Sequence, residues 1–223
     1  MFVGHIGAAL AIGRVERRVN VGVFIAAAFT LDLALWIFVL LGVESVSIPA
    51  DFASTHQPEY MFPYSHGLLA SLAWSVLAGI ATFAASARLQ QGRLRAAVFV
   101  GAAVFSHWLL DALVHVPELP ITGTASTKVG LALWQNMPVA LGVEVVVVLA
   151  GLWLFIQGNR LSRAKAVSLT MLCLLLSGFT VVGMTIAPPP PSAIAMAATS
   201  LATLVIVCAL VIWIGRLPND GRA

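Results

Sequence analysis

Six apolar stretches, each close to the length of a membrane-spanning helix, take up most of this 223-residue chain. They run at about 20–43, 66–87, 96–116, 138–157, 164–186 and 193–215. Roughly 20 consecutive apolar residues are what a helix needs to cross a bilayer core. Turn-formers or charges bound each stretch: the Pro58 to Pro63 loop, the Pro117 to Pro138 segment and the Pro188 to Pro191 run, which cannot stay helical. Strand-like alternation is absent, which argues against a β-barrel. Charged residues make up only 9% of the chain, whereas a soluble domain carries about 25%. A soluble globule, a disordered chain, a disulfide scaffold and a nucleic-acid-binding module are thereby excluded. Cys173 and Cys208 lie within apolar runs and read as small buried hydrophobes. The expected fold is an all-α integral membrane protein: a polytopic helical bundle of about six transmembrane helices plus a short N-terminal apolar helix.

The basic residues set an orientation. Arg14, Arg17 and Arg18 precede the first span, and Arg88, Arg93 and Arg95 join the second and third. Arg160, Arg163 and Lys165 join the fourth and fifth, and Arg216 and Arg222 follow the last; Lys128 alone falls in the opposite set of loops. Lys and Arg are retained on the cytoplasmic side. The loops at about 44–65, 117–137 and 187–192 are therefore expected to face outward, with the C-terminus cytoplasmic. Met1–Gly13 is apolar, but its positive cluster follows it, the wrong order for a secretory signal peptide. At roughly 20 Å of helix it is short for a span. It is expected to tuck its N-terminal end into the protein. The chain divides into a membrane-embedded bundle over 1–157 and a two-helix extension with a short tail over 158–223. Ala193, Ala195, Ala197, Ala198, Ser200 and Ala202 would let the extension pack closely, as a lipid-facing or homo-oligomer-forming addition.

The intramembrane polar residues are of one kind. Asp32, Asp111 and Glu144 lie in spans, His66, His107 and His115 at or near their outer ends, and His5 in the N-terminal helix, with no Lys or Arg in any span core. Structural ion pairs would need basic partners that are absent. A bound metal ion or a proton path would supply the missing charge. Counted from the cytoplasmic arginines at about 1.5 Å per residue, His5 lies roughly 14 Å deep, His107 about 18 Å, Asp32 about 20 Å, and Asp111 and Glu144 about 24 Å. His66 comes out near 33 Å by the same count, so it joins the others only if the second span sits lower.

Ser106-His107-Trp108-Leu109-Leu110-Asp111-Ala112-Leu113-Val114-His115 is the most specific segment. His107 and Asp111, and Asp111 and His115, are four apart and share a helix face, a spacing that lets one helix offer two ligands to one ion. The competing reading is interhelical hydrogen bonding that fixes packing. Taken alone, His5 suits polar packing, His66 suits the start of a helix, and Asp32 suits a functional site. Glu144 could be a ligand, a general base or a buried proton site. Asp51, His56 and Glu59 read as solvated loop residues.

Four segments, Gly4-His5-Ile6-Gly7-Ala8-Ala9, Thr30-Leu31-Asp32, Tyr64-Ser65-His66-Gly67-Leu68-Leu69 and Phe105-Ser106-His107-Trp108-Leu109-Leu110-Asp111, resemble the bacterial inner-membrane-bound, metal-dependent hydrolase family (YdjM-like). The resemblance covers about the first 115 residues and implies His5, Asp32, His66, His107 and Asp111 as metal ligands. It also implies zinc-dependent, phospholipase-like chemistry and a place in the bacterial inner membrane. The family's aspartate pair is reduced here, with Ala34 at the second place, and Gly67 stands where a serine is common. Losing one carboxylate would turn a two-metal site into a one-metal site or weaken metal binding.

The expectation is a divalent-metal site, with zinc the first choice, in the outer half of the bilayer. It would act on a lipid-linked or membrane-associated ester or phosphoester, with Glu144 as a spare base and His115 as a spare acid. Asp32 would complete the ligand set or orient a ligand histidine. Proton- or divalent-cation-coupled transport is the rival. Haem held by paired histidines and a purely structural role rank below it. Membrane lipids are the expected partners.

Overall fold

The computed structural model describes residues 1–87, 92–159 and 161–217. Arg88, Arg160 and Arg222, used above for orientation, lie outside the described residues. The protein is an all-α helical bundle. Among the described residues, five helices are long and apolar enough to cross a membrane: α5 (Leu68–Ala85), α6 (Arg93–Val114), α7 (Met137–Gly158), α8 (Arg163–Thr185) and α9 (Ala193–Arg216). Two shorter helices together reach the length and apolarity of a further span. These, α2 (Val21–Ala28) and α3 (Thr30–Leu40), meet at Phe29 with a bend of 47°. Thr30 Oγ1 donates back to the Ala26 carbonyl at 3.3 Å across the break, a bond that competes with the helical ladder and bends it.

α1 (Val3–Val15) is the short N-terminal helix, and it lies inside the bundle. Val3, His5, Ile6, Ala9 and Leu10 are all buried, as a helix apolar on every side requires. Glycines set how closely it packs on α7. A Cβ on Gly7 would collide with the Val147 carbonyl, and one on Gly151 with the Gly7 carbonyl. Glu144 of α7 then caps α1: its Oε2 accepts from Phe2 N at 2.8 Å and Gly4 N at 3.3 Å, placing negative charge at the positive end of the helix dipole.

The bundle has two unlike ends. One carries Arg14, Arg17, Arg18, Arg93, Arg95, Arg163 and Arg216. There Arg95 reaches Glu16 Oε2 at 2.8 Å and the Val15 carbonyl at 2.9 Å, fastening the end of α1 to the start of α6. The other end carries the folded loops. β1 (Ser45–Ser47) pairs antiparallel with β2 (Glu59–Met61), and α4 (Phe52–Thr55) lies between them. β3 (Leu119–Pro120) pairs with β4 (Lys128–Val129), followed by a 3-10 turn at Leu133–Gln135. These short ribbons make the loop end a lid over the helices rather than a set of solvated connections.

Candidate metal centre

Four separate pieces of chain meet just below that lid. α6 contributes His107 and Asp111 from one face near its end. The bend at Phe29 puts Asp32 in the first turn of α3, and His66 comes from the turn that precedes α5. His5 arrives from the enclosed α1. His107 Nε2 lies 3.0 Å from Asp111 Oδ2 and 3.6 Å from Asp32 Oδ1. His66 Nε2 lies 3.4 Å from Asp111 Oδ2, 3.6 Å from Asp32 Oδ1 and 3.2 Å from His107 Nε2. His5 stacks on His107 at 3.7 Å between ring centres, with its Nε2 3.2 Å from Asp111 Oδ1. Two overlapping sets result, His5–Asp32–His107 and His66–His107–Asp111. The buried His/Asp cluster can hold a metal ion.

The hydrogen bonds on the far sides of the rings fix what the near sides present. His107 Nδ1 lies 2.6 Å from the Ala28 carbonyl. A carbonyl only accepts, so Nδ1 carries the proton and, in the neutral ring, Nε2 is a bare lone pair. His66 Nδ1 lies 2.8 Å from Ser65 Oγ, and Ser65 Oγ lies 2.6 Å from Glu44 Oε2. The hydroxyl proton goes to the carboxylate, so the serine oxygen accepts from His66 Nδ1 and leaves Nε2 bare as well. Glu44 itself is pinned, its Oε1 accepting from Tyr64 N at 2.7 Å and Ser65 N at 2.9 Å. Two imidazole lone pairs 3.2 Å apart repel one another unless a proton or a metal ion lies between them. His5 is fully buried, its Nδ1 has no hydrogen-bond partner among the described residues, and its Nε2 has only Asp111 Oδ1 at 3.2 Å, which fits a ring able to turn toward an ion. The nitrogen-rich mixed donor set suits a borderline cation. Both sets share the single Nε2 lone pair of His107, so they describe one ion rather than two.

Asp111 is the hub. Its Oδ1 also meets the Met1 amino nitrogen at 2.7 Å, and its Oδ2 lies 3.8 Å from His115 Nε2. His115 Nδ1 donates to Glu118 Oε1 at 2.5 Å, so His115 turns its Nε2 toward the cluster. Trp134 and Phe62 pack against the His115 ring. The cluster opens on a cavity of about 340 Å³, which Asp32, His66, Asp111, His115 and Glu144 line at its polar end. Tyr60, in β2, reaches the same cavity, and burial, with the Glu118 carboxylate next in effect, pushes its phenol well above the usual value. It stays a neutral hydroxyl.

The structure gathers all five sequence-derived metal ligands into one cluster, His66 included, because the chain dips between β2 and α5. His115 stands beside them. Glu144 lines the cavity, with one oxygen occupied by the amides of α1. Two expectations change. His56 is buried and lines the cavity, held in a left-handed conformation at φ 52° at the end of α4, while Asp51 and Glu59 are exposed as expected. The C-terminal helices are not only a lipid-facing addition: Thr180 and Gly183 of α8 and Ser200 and Thr203 of α9 form a cavity wall. Sequence reasoning missed Glu44, although a carboxylate closing the first span and a serine beside His66 were its available signals. The Ala28 carbonyl had none.

No protein-family model, curated protein or solved structure matches this chain.

Proposed function

We propose that the chain is a membrane-embedded, metal-dependent hydrolase of lipid-linked or membrane-associated esters or phosphoesters, similar to the bacterial inner-membrane YdjM-like family, with zinc as its ion. One observation carries the reading. Two imidazole Nε2 atoms, each the lone-pair nitrogen of its neutral ring because Nδ1 donates on the opposite side, converge with Asp32 and Asp111 at the closed end of a cavity. His5, His66, His107 and Asp111 would hold the ion, and Asp32, the most exposed of the set at 19%, would complete the shell on the cavity side. Zinc bound there would lower the pKa of a water toward about 7 and polarise an ester or phosphoryl oxygen.

The remaining residues handle protons and position. His115, oriented by Glu118, exchanges a proton at Nε2 with a group in the cavity. Tyr60 offers a neutral hydroxyl to a substrate oxygen. Glu144 holds the first turn of α1 and with it His5. The basic end faces the cytoplasm in this reading and the lidded end faces outward, as the distribution of Lys and Arg requires.

Elemental analysis of the detergent-purified protein tests it. Wild type is expected to carry about one zinc per chain, and His107→Ala close to none. Wild type that is metal-free and refuses added zinc sinks the hydrolase reading. One feature favours cation transport as a second reading: the break between α2 and α3 places a discontinuity beside the ligands, as secondary transporters do. Zinc flux into proteoliposomes that His107→Ala abolishes would establish transport, and its absence beside a metal-loaded site would remove it.

A further inference from the structure

The two wall helices of the cavity belong to different parts of the bundle. α8 packs mainly on α7, and α9 on α2 and α3; they touch each other only sparingly. A seam runs between them. Toward the basic end it is fastened, with Lys165 Nζ donating to the Gly215 carbonyl at 3.0 Å and Leu169, Cys173, Leu204 and Val211 buried nearby. At the loop end the two helices are joined by the Pro188–Pro191 run. Between these two closures the cavity that starts at Asp32, His66 and Asp111 reaches Phe179 and Thr180 on one side and Thr199 and Ser200 on the other. Phe179 is 57% exposed on the membrane-facing surface, so at this level the cavity wall and the outside of the bundle are the same layer.

The seam is apolar despite its threonines. Thr180, Thr199 and Thr203 each donate their hydroxyl proton to their own helix, to the carbonyls of Leu176, Ala195 and Thr199 at 2.9, 2.8 and 2.9 Å. What they leave for a ligand is chiefly methyl groups and already-bonded oxygens. The cavity is therefore polar at its closed end and apolar where it meets the bilayer. At about 340 Å³ it is near the lower limit for ligand sites, too small to enclose a whole lipid. A headgroup fits inside, and the chains have to leave through the wall.

We propose that the α8–α9 seam is a lateral doorway, in which the hydrocarbon chain of a lipid phosphoester or ester lies while its head reaches Asp32, His66 and Asp111. The substrate is then an amphiphile drawn from the membrane, not a solute from the aqueous side. This rests on the metal-site reading and adds the route by which the substrate enters.

Gly183 supplies the test, because nothing lies within 4 Å of a Cβ built there. A side chain grown from Gly183 therefore starts in open space, and Gly183→Trp puts its bulk at the doorway. Ile206→Trp, on a lipid-facing side of α9 at 59% exposure, is the control for added bulk. Delipidated protein is titrated with dioleoylphosphatidylglycerol in detergent and followed by native mass spectrometry, with zinc measured on the same samples. Wild type and Ile206→Trp are expected to retain one tightly held lipid, and Gly183→Trp to bind it on the order of tenfold more weakly, all three with equal zinc. Equal lipid binding by all three proteins, or equal loss in both variants, overturns the doorway and leaves the metal reading standing. The expected lipid pattern in protein that takes up no zinc keeps the doorway and overturns the metal reading.

Discussion

Glu44 shows how a single side chain outside the ligand set can decide what a ligand does. Its carboxylate takes the Ser65 hydroxyl proton, Ser65 then accepts from His66 Nδ1, and the lone pair of His66 Nε2 is aimed at Asp32, His107 and Asp111. Partners of this kind typically contribute 10–100-fold to metal affinity. Glu44→Gln keeps the size but offers an amide that can turn its NH₂ toward Ser65 and reverse the chain of donors. Zinc affinity measured by competition with a chelator is expected to fall by about 10–100-fold, with the helical circular dichroism unchanged. Ser65→Ala is expected to lower it in the same way. An unchanged affinity in both variants would make the Glu44–Ser65 pair a packing feature of the lid.

At the scale of elements, the site depends on two places where helices approach more closely than side chains allow. Gly7 and Gly151 bring α1 against α7, and Gly22 brings α2 against the backbone of α9 at Ile212. Small residues at such crossings are the usual device where membrane helices pack by van der Waals contact. Gly151→Ala puts a methyl group on the Gly7 carbonyl, so α1 has to shift and carry His5 with it. A loss of about 1–3 kcal/mol is expected, read as a lower thermal midpoint in detergent together with weaker zinc binding. Gly142→Ala, on the same helix but with nothing within 4 Å, is expected to change neither. The bend at Phe29 is the other element-level device. It lets the Ala28 carbonyl accept from His107 and places Asp32 in the first turn of α3, beside the cluster.

For the molecule as a whole, the ligands and the wall of the cavity come from opposite halves of the chain. All five candidate ligands precede residue 112, whereas α8 and α9 supply one side of the cavity, and α9 braces both α2 and α3. A chain ended after Gly158 keeps every ligand yet loses that brace. It is expected to bind less than about one-tenth of the zinc of the full chain, by elemental analysis of material that elutes as a single species. Full zinc binding by the shortened chain would make the first 158 residues an independent metal-binding unit.

The run of apolar spans, the short N-terminal helix and the polar residues that form the buried cluster were legible in the sequence. Transfer into a bilayer is a sum over consecutive residues, and a charged or imidazole side chain stands out against an apolar run. The spans predicted at 20–43 and 96–116 match α2–α3 and α6 to within a few residues. What the sequence does not carry is the rotation of each helix about its axis. Helices such as α7 and α9 are apolar on all sides, so no stripe marks the inward face. That Thr180 and Ser200 look into a cavity, that Glu44 and Ser65 hold His66 in one tautomer, and that the bend between α2 and α3 offers the Ala28 carbonyl to His107 were settled only when distant segments packed. Glu44 and Ser65 are 21 residues apart and Ala28 and His107 are 79 apart, and the cavity wall is made by two helices, so the energies involved belong to pairs that local composition cannot specify.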